Sequence, residues 1–365
     1  MNKYTVTTGT ALAFDSDASW SPINVRSAAF AWTASGSGTG EYYLRTAAGA
    51  NPSTVLTGLV EPANVQANAT ALTAGTAGSL TASQWDWADN DTLGYSTIYV
   101  RLSDDSDPDS KVDGFVTFTD SPNANDSVFF RGAASFKGGD FSSIELDDIV
   151  FLPGYTGTVG DEVNPLKLDM ADADRFEFNG TGKAYISLGS AACSPVINRT
   201  ATAANGTAGL YLVSCTALND LFVRGGTVQC VGTTFDDGYI SSGATLLGDV
   251  DSSCTADMHN NGGTVSWEGA GVNHYNDSGT STIGGTDAWT TIRADNGTII
   301  SNTTGTVTNA QAIGVGTIDF TQSGLARTVT NMKAEGTGKI VYESGIVTLT
   351  NPGTGDGVHT FKAGR

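Results

Sequence analysis

A short phrase of a small residue, a threonine and an aliphatic residue keeps returning along the chain. It appears as Gly226-Thr227-Val228, Ala244-Thr245-Leu246, Gly263-Thr264-Val265, Ser281-Thr282-Ile283, Gly297-Thr298-Ile299 and Gly316-Thr317-Ile318. Its threonines lie 18, 19, 18, 16 and 19 residues apart, and Gly338-Lys339-Ile340 is a weaker seventh echo. Self-similarity near this period marks a solenoid. Each unit is too short and too β-branched for a helix, so short strands joined by Gly, Asn, Asp and Ser turns are expected. One such rung has too few inward apolar residues to bury a core alone; stacked rungs bury one together. Equivalent threonines then recur one strand spacing, about 4.8 Å, apart.

The chain has 365 residues, enough for two or three domains. Its 46 glycines and 15% charged residues resemble a disordered composition, but 39% apolar residues at strand-like spacing argue for ordered β-structure. The net charge of −20 argues against direct nucleic-acid binding, which needs a basic stripe, and its even spread reads as a solvated, self-repelling exterior. No apolar run reaches the length of a membrane span, and the start, Met1 to Thr8, lacks a signal-peptide pattern. Synthesis in a cytoplasm, where the protein stays or which it leaves as part of an assembly, is therefore expected, and Asn-x-Ser/Thr triplets such as Asn179-Gly180-Thr181 and Asn205-Gly206-Thr207 read as turn chemistry. Cys193, Cys215, Cys230 and Cys254 are spaced near one rung, with no zinc-ligand pattern, and read as small core residues.

The first third differs from the repeat. Tyr4 to Thr7, Ala28 to Trp32, Glu41 to Arg45, Ser96 to Leu102 and Phe115 to Phe118 are strand-like, with Gly/Ser/Asp turn clusters between them. A compact antiparallel sandwich is expected. Trp20, Trp32, Trp85 and Trp87 all fall here, as a dense core or a docking rim.

The stretches Gly40 to Arg45, Gly75 to Leu80 and Trp85 to Asp104 resemble an N-terminal module of tailed-phage virion proteins, in which it precedes a fibrous or β-helical body. The resemblance covers about a third of the chain and carries no catalytic residue. It implies a structural role on a phage particle. The loose repeat is likewise similar to viral fibre and spike solenoids.

Asp120 to Ser127, rich in proline and small polar residues, is a candidate boundary. The expected organisation is an all-β chain: an N-terminal β-sandwich attachment domain over 1–120, then a parallel β-helix over 125–365. The first rungs should be irregular because they cap the stack. The tail from Val347, with His359-Thr360-Phe361-Lys362, reads as a last rung, a cap or an exchanged strand.

Asp104, Asp105, Asp107 and Asp109 crowd one loop, but Ser110 and Val116 stand where a calcium loop needs Gly and Glu. The acid pairs Asp147-Asp148 and Asp236-Asp237, with Glu145 near the first, could serve glycoside hydrolysis across neighbouring rungs. The Gly-His-Gly and Arg-x-Lys segments of polygalacturonase-type β-helices are lacking, and His259, His274 and His359 are isolated. Trp267, Tyr275 and Trp289 are the few aromatics of the repeat that could grip a sugar. No nucleophile elbow with a histidine partner, phosphate loop or dinucleotide fingerprint occurs. Hence no catalytic, cofactor or metal residue is assigned.

The expected function is a non-enzymatic virion structural protein, a capsid decoration or cement protein on the capsid exterior. Its partners would be the major capsid protein and itself, as a homotrimer, with no nucleic acid, membrane or cofactor. The alternative is a tail fibre or tailspike that binds or degrades host polysaccharide; a bacterial surface protein is a third possibility.

Overall fold

The computed structural model describes residues 2–14, 20, 23–25, 31–36, 38–45, 64–67, 70–88, 97–108, 116–119, 121–122, 124–199, 209–343, 345–351 and 353–362. Among them every regular element is a strand. The chain divides into two compact units, Met1–Val128 and Phe129–Arg365.

The first unit holds two sheets. One runs Ala31–Ala34, Glu41–Arg45, Thr97–Arg101, Gln84–Ala88, Thr73–Ala74 in spatial order; the other runs Ile23–Val25, Val116–Thr119, Asn64–Ala67, Thr70–Ala71. Alternation along Thr97–Arg101 and its neighbours turns Trp32, Leu44, Trp85, Ile98 and Val100 to one side, where they meet Val65 of the second sheet. This shared core makes the unit a β-sandwich. Three of the four N-terminal tryptophans, Trp20, Trp32 and Trp85, are buried, and the partly buried Trp87 packs on the same core. One expectation needs correction: the sheets are not wholly antiparallel, because Thr73–Ala74 runs parallel to Gln84–Ala88. Lys3 and Asp126 form a fully buried ion pair at 3.6 Å within this unit.

The second unit is a parallel β-solenoid of about 11 turns. At one strand spacing per turn its axis extends roughly 50 Å. Its first long strands, Gly139–Phe151 and Leu166–Phe178, pair with two register shifts. Their bore is filled by aromatic rings: Phe130 stacks on Phe151 at 4.3 Å, and Phe151 meets Phe178 at 4.8 Å. Later rungs also carry register shifts, three of them between Ser253–Trp267 and Ala270–Ile283, but one threonine column runs through them. Thr227, Thr245, Thr264, Thr280, Thr298 and Thr317 lie in one continuous register, followed by Lys339. The residue after each points inward: Val228, Leu246, Val265, Ser281, Ile299, Ile318 and Ile340 are all at most 1% exposed.

The fourth rung therefore departs from the sequence reading. Thr280, not Thr282, stands in the threonine ladder, and Thr282 lies two positions along the same outer face. A slip of two preserves which side chains face inward, so the pattern alone does not distinguish the registers. Ser281 takes the inward place because the buried Asn260 donates to its Oγ at 3.0 Å.

Core volume is shared between rungs. Trp267 lies against Gly248, its register partner one turn earlier. Trp289 lies against Gly271 in the same manner. A methyl at either glycine would collide with the indole. The four cysteines are all buried, as small core residues should be.

Candidate functional site

The stretches that carry the phage-module resemblance converge in the sandwich. Glu41, buried on its strand, accepts from the backbone N–H groups of Gly78 at 2.8 Å and Leu80 at 3.1 Å. Asp86 Oδ2 accepts from the N–H of Ala77 at 2.8 Å. Arg101 donates to the carbonyl of Leu80 and grips Asp105 with two bonds, 2.7 and 3.1 Å. That pairing raises the Arg101 pKa and lowers the Asp105 pKa. Gly40, at φ +69°, leaves room for Asp105, whose Cβ would sit 2.7 Å from any methyl there. These residues hold the 75–80 loop on the sheet; each polar group is committed to the fold.

The Asp-rich loop is accounted for in part by the same contacts. Asp105 faces Arg101, and Asp104 Oδ1 accepts from the N–H and hydroxyl of Ser106 at 3.2 and 2.6 Å. Asp109 lies outside the described residues. Among the described residues no group of three or more His, Cys, Asp or Glu is placed to hold a metal ion.

The solenoid carries a surface feature that motif reading missed. Phe222, Tyr239, His259 and Tyr275 are register partners on four successive rungs. Their rings stack at 5.1, 5.2 and 5.1 Å, with interplanar angles of 11°, 5° and 17°. Two residues before each stands Asp220, Asp237, Asp257 or Asn273. Asp237 Oδ1 accepts from the Asp257 N–H, and Asp257 Oδ1 accepts from Asn273 Nδ2, both at 2.8 Å. Partial burial, then the charges of Asp237 and Asp236, push the Asp220 carboxyl above its usual range. Burial, then the charges of Asp237, Asp220 and Asp257, raises the Tyr239 phenol. The signal was present: an acid or amide, any residue, then an aromatic, recurring near one rung. Because each ring face is covered by the next, the ladder offers ring edges and carboxylates to solvent.

Of the acid pairs considered for sugar cleavage, Asp236 and Asp237 are engaged by neighbouring rungs. Asp236 Oδ1 accepts from Thr255 Oγ1 at 2.9 Å, while Asp237 takes the Asp257 N–H and the Tyr239 hydroxyl. Asp148 lies opposite Arg175 of the next rung, and Glu145 opposite Asp169. Of the three aromatics considered for sugar contact, Trp267 and Trp289 are core residues and Tyr275 belongs to the ladder. The glycines that socket Trp267 and Trp289 are Gly248 and Gly271, one rung earlier. His259 is in the ladder, His359 Nε2 is 3.2 Å from the Thr354 carbonyl oxygen, and His274 is wholly inside the bore. Burial, with a smaller contribution from His259, drives the His274 pKa down to about 3.

Side-chain amides reinforce the corners and flanks. Asn260 donates to the Gly263 carbonyl and accepts from the Gly263 N–H. On the exterior Asn351 donates to Asn331 and Asn331 to Asn309, at 2.6 and 2.9 Å. The class defined by these observations is a β-solenoid protein with an N-terminal sandwich. Comparison with protein-family models, curated proteins and solved structures finds no match to this chain.

Proposed function

We propose that this chain is a non-catalytic structural protein of a tailed-phage virion, acting as a decoration or cement protein on the capsid exterior. The observation that carries the reading is the filled bore beneath continuous parallel register. The inward residues are aromatic at the start and aliphatic through most later rungs, and the outward ones form ladders that tie rung to rung. Such a body suits a stiff spacer or clamp. The module resemblance of Gly40 to Arg45, Gly75 to Leu80 and Trp85 to Asp104 suggests the virion setting, and the network around Glu41 supports its reading as a folded platform.

In this reading the sandwich docks on the major capsid protein, many weak contacts per shell sum by avidity, and three copies associate around a shell three-fold. The net charge of −20 keeps copies dispersed until docking supplies the offsetting contacts. Purified full-length protein should bind empty capsids, and cryo-EM of virions should place its density on the head. Density confined to the tail, or polysaccharide binding or cleavage on a glycan panel, would instead establish the fibre or tailspike alternative.

A further inference from the structure

Two neighbouring rungs break the dry character of the bore. They comprise Ala270–Ile283 and the strands stacked on it, Trp289–Ala294 and Thr298–Ser301. In the rung before, buried polar groups find protein partners. Trp267 Nε1 donates to the Ala270 carbonyl at 3.0 Å, and Asn260 Oδ1 accepts from the Gly263 N–H at 2.8 Å. One rung on, the equivalent chemistry is left open. Trp289 Nε1, Asn276 Oδ1, Ser301 Oγ and both ring nitrogens of His274 are buried without a hydrogen-bond partner. His274, Asn276 and Ser301 are 0% exposed and Trp289 is 1% exposed.

Orphaned buried donors and acceptors each cost about 1–3 kcal/mol, and native interiors satisfy nearly all of them. Neutral imidazole needs one acceptor and one donor, whichever tautomer it adopts. His274 sits in a column between Met258 and Ile292, whose side chains offer it no donor and at most a weak thioether acceptor. The Trp289 ring stands nearly perpendicular to it, at 82°, with centroids 6.3 Å apart. A single water makes bonds of about 2.8–3.0 Å to each of two groups at a near-tetrahedral angle, so it spans heavy atoms about 4.5–5 Å apart. Ala294, the register partner of Asn276, adds little side-chain volume at this level.

We infer that the solenoid core contains a built hydration site at this level, whose ligand is ordered water. One water accepts from Trp289 Nε1–H and donates to the unprotonated nitrogen of His274. The other His274 N–H, Asn276 Oδ1 and Ser301 Oγ are the remaining groups available to the same cluster. The site makes His274 a neutral, water-bound core residue, and it does not depend on the virion reading.

The test is a high-resolution crystal structure of the full chain together with its His274→Phe variant. Water-selective NMR of the Trp289 indole proton supplies the solution arm. The expected result is a density peak about 2.7–3.2 Å from both Trp289 Nε1 and a His274 nitrogen. A cross-peak between that indole proton and a long-lived water should accompany it. His274→Phe should abolish both and leave the thermal midpoint unchanged or raised by a few degrees. If the variant fails to fold, the wild-type density and cross-peak decide alone. A dry site in which His274 or Trp289 bonds a backbone carbonyl would overturn the inference, as would a water that persists unchanged in the variant.

Discussion

At the residue scale the chain tolerates polar and titratable groups inside only at specific rungs, and each has a measurable consequence. His274 is held neutral, with its folded pKa near 3 against an unfolded value of about 6.5. The unfolded chain therefore takes up a proton first as pH falls. Stability contributed by this residue is intact above about pH 6.5 and is lost between there and about pH 3. The loss should approach about 1.4 kcal/mol per pH unit. Denaturant midpoints across this range should fall more steeply for the wild type than for His274→Leu; equal slopes would refute the assignment. The cysteines give a second residue-scale expectation. Burial pushes the Cys215 thiol up to about 11 and Cys254 to about 12, and raises Cys230 as well. Thiolate is the reactive form, so a thiol reagent should label none of the four in the native protein and all of them after unfolding.

At the scale of the element, stability rests on pairs one rung apart. Gly248→Ala or Gly271→Ala should cost about 1–3 kcal/mol, because the methyl meets an indole in a packed core. Shrinking that indole in the double variant Gly248→Ala/Trp267→Leu should make the glycine change less harmful than it is alone, a coupling that a double-mutant cycle on unfolding free energies would read. In the sandwich, Glu41→Ala strips two backbone N–H groups of their acceptor and should cost about 1–3 kcal/mol, seen as a lower thermal midpoint. Strand periodicity made much of this architecture readable. Threonine-out, aliphatic-in alternation at Thr227, Thr245, Thr264, Thr298 and Thr317 marked both the faces and the rungs. It failed at Thr280 because Thr280 and Thr282 both satisfy the alternation, and the deciding partner, Asn260, is 21 residues from Ser281. Trp267 and Trp289 misled for a related reason. Their sockets, Gly248 and Gly271, lie 19 and 18 residues upstream, where glycine in a turn-rich segment reads as a bend. The ring ladder was missed because its members, Phe222, Tyr239, His259 and Tyr275, share shape and not residue type.

At the scale of the molecule, long-range charge and nearest-neighbour stacking dominate. The carboxylates repel one another across a net charge of −20, and salt screens that repulsion. The thermal midpoint of the isolated protein should therefore rise as ionic strength increases from about 0.01 M towards physiological levels. An unchanged or falling midpoint would mean that attractive pairs such as Arg293–Asp295 and Lys167–Asp140 outweigh the repulsion. A stack in which each turn touches only its neighbours also divides its stability among local interfaces. The hydrated level near His274 would then be where acid opens the stack first.

The two-residue offset at Thr280 has a consequence for how such a chain can change length. A strand that gains or loses two residues keeps its oily side within and its hydroxyls without. A change of one residue exchanges them along the rest of the strand unless a bend absorbs it. Lineages of this coil should therefore grow and shrink in even steps inside strands, with odd steps confined to the corners.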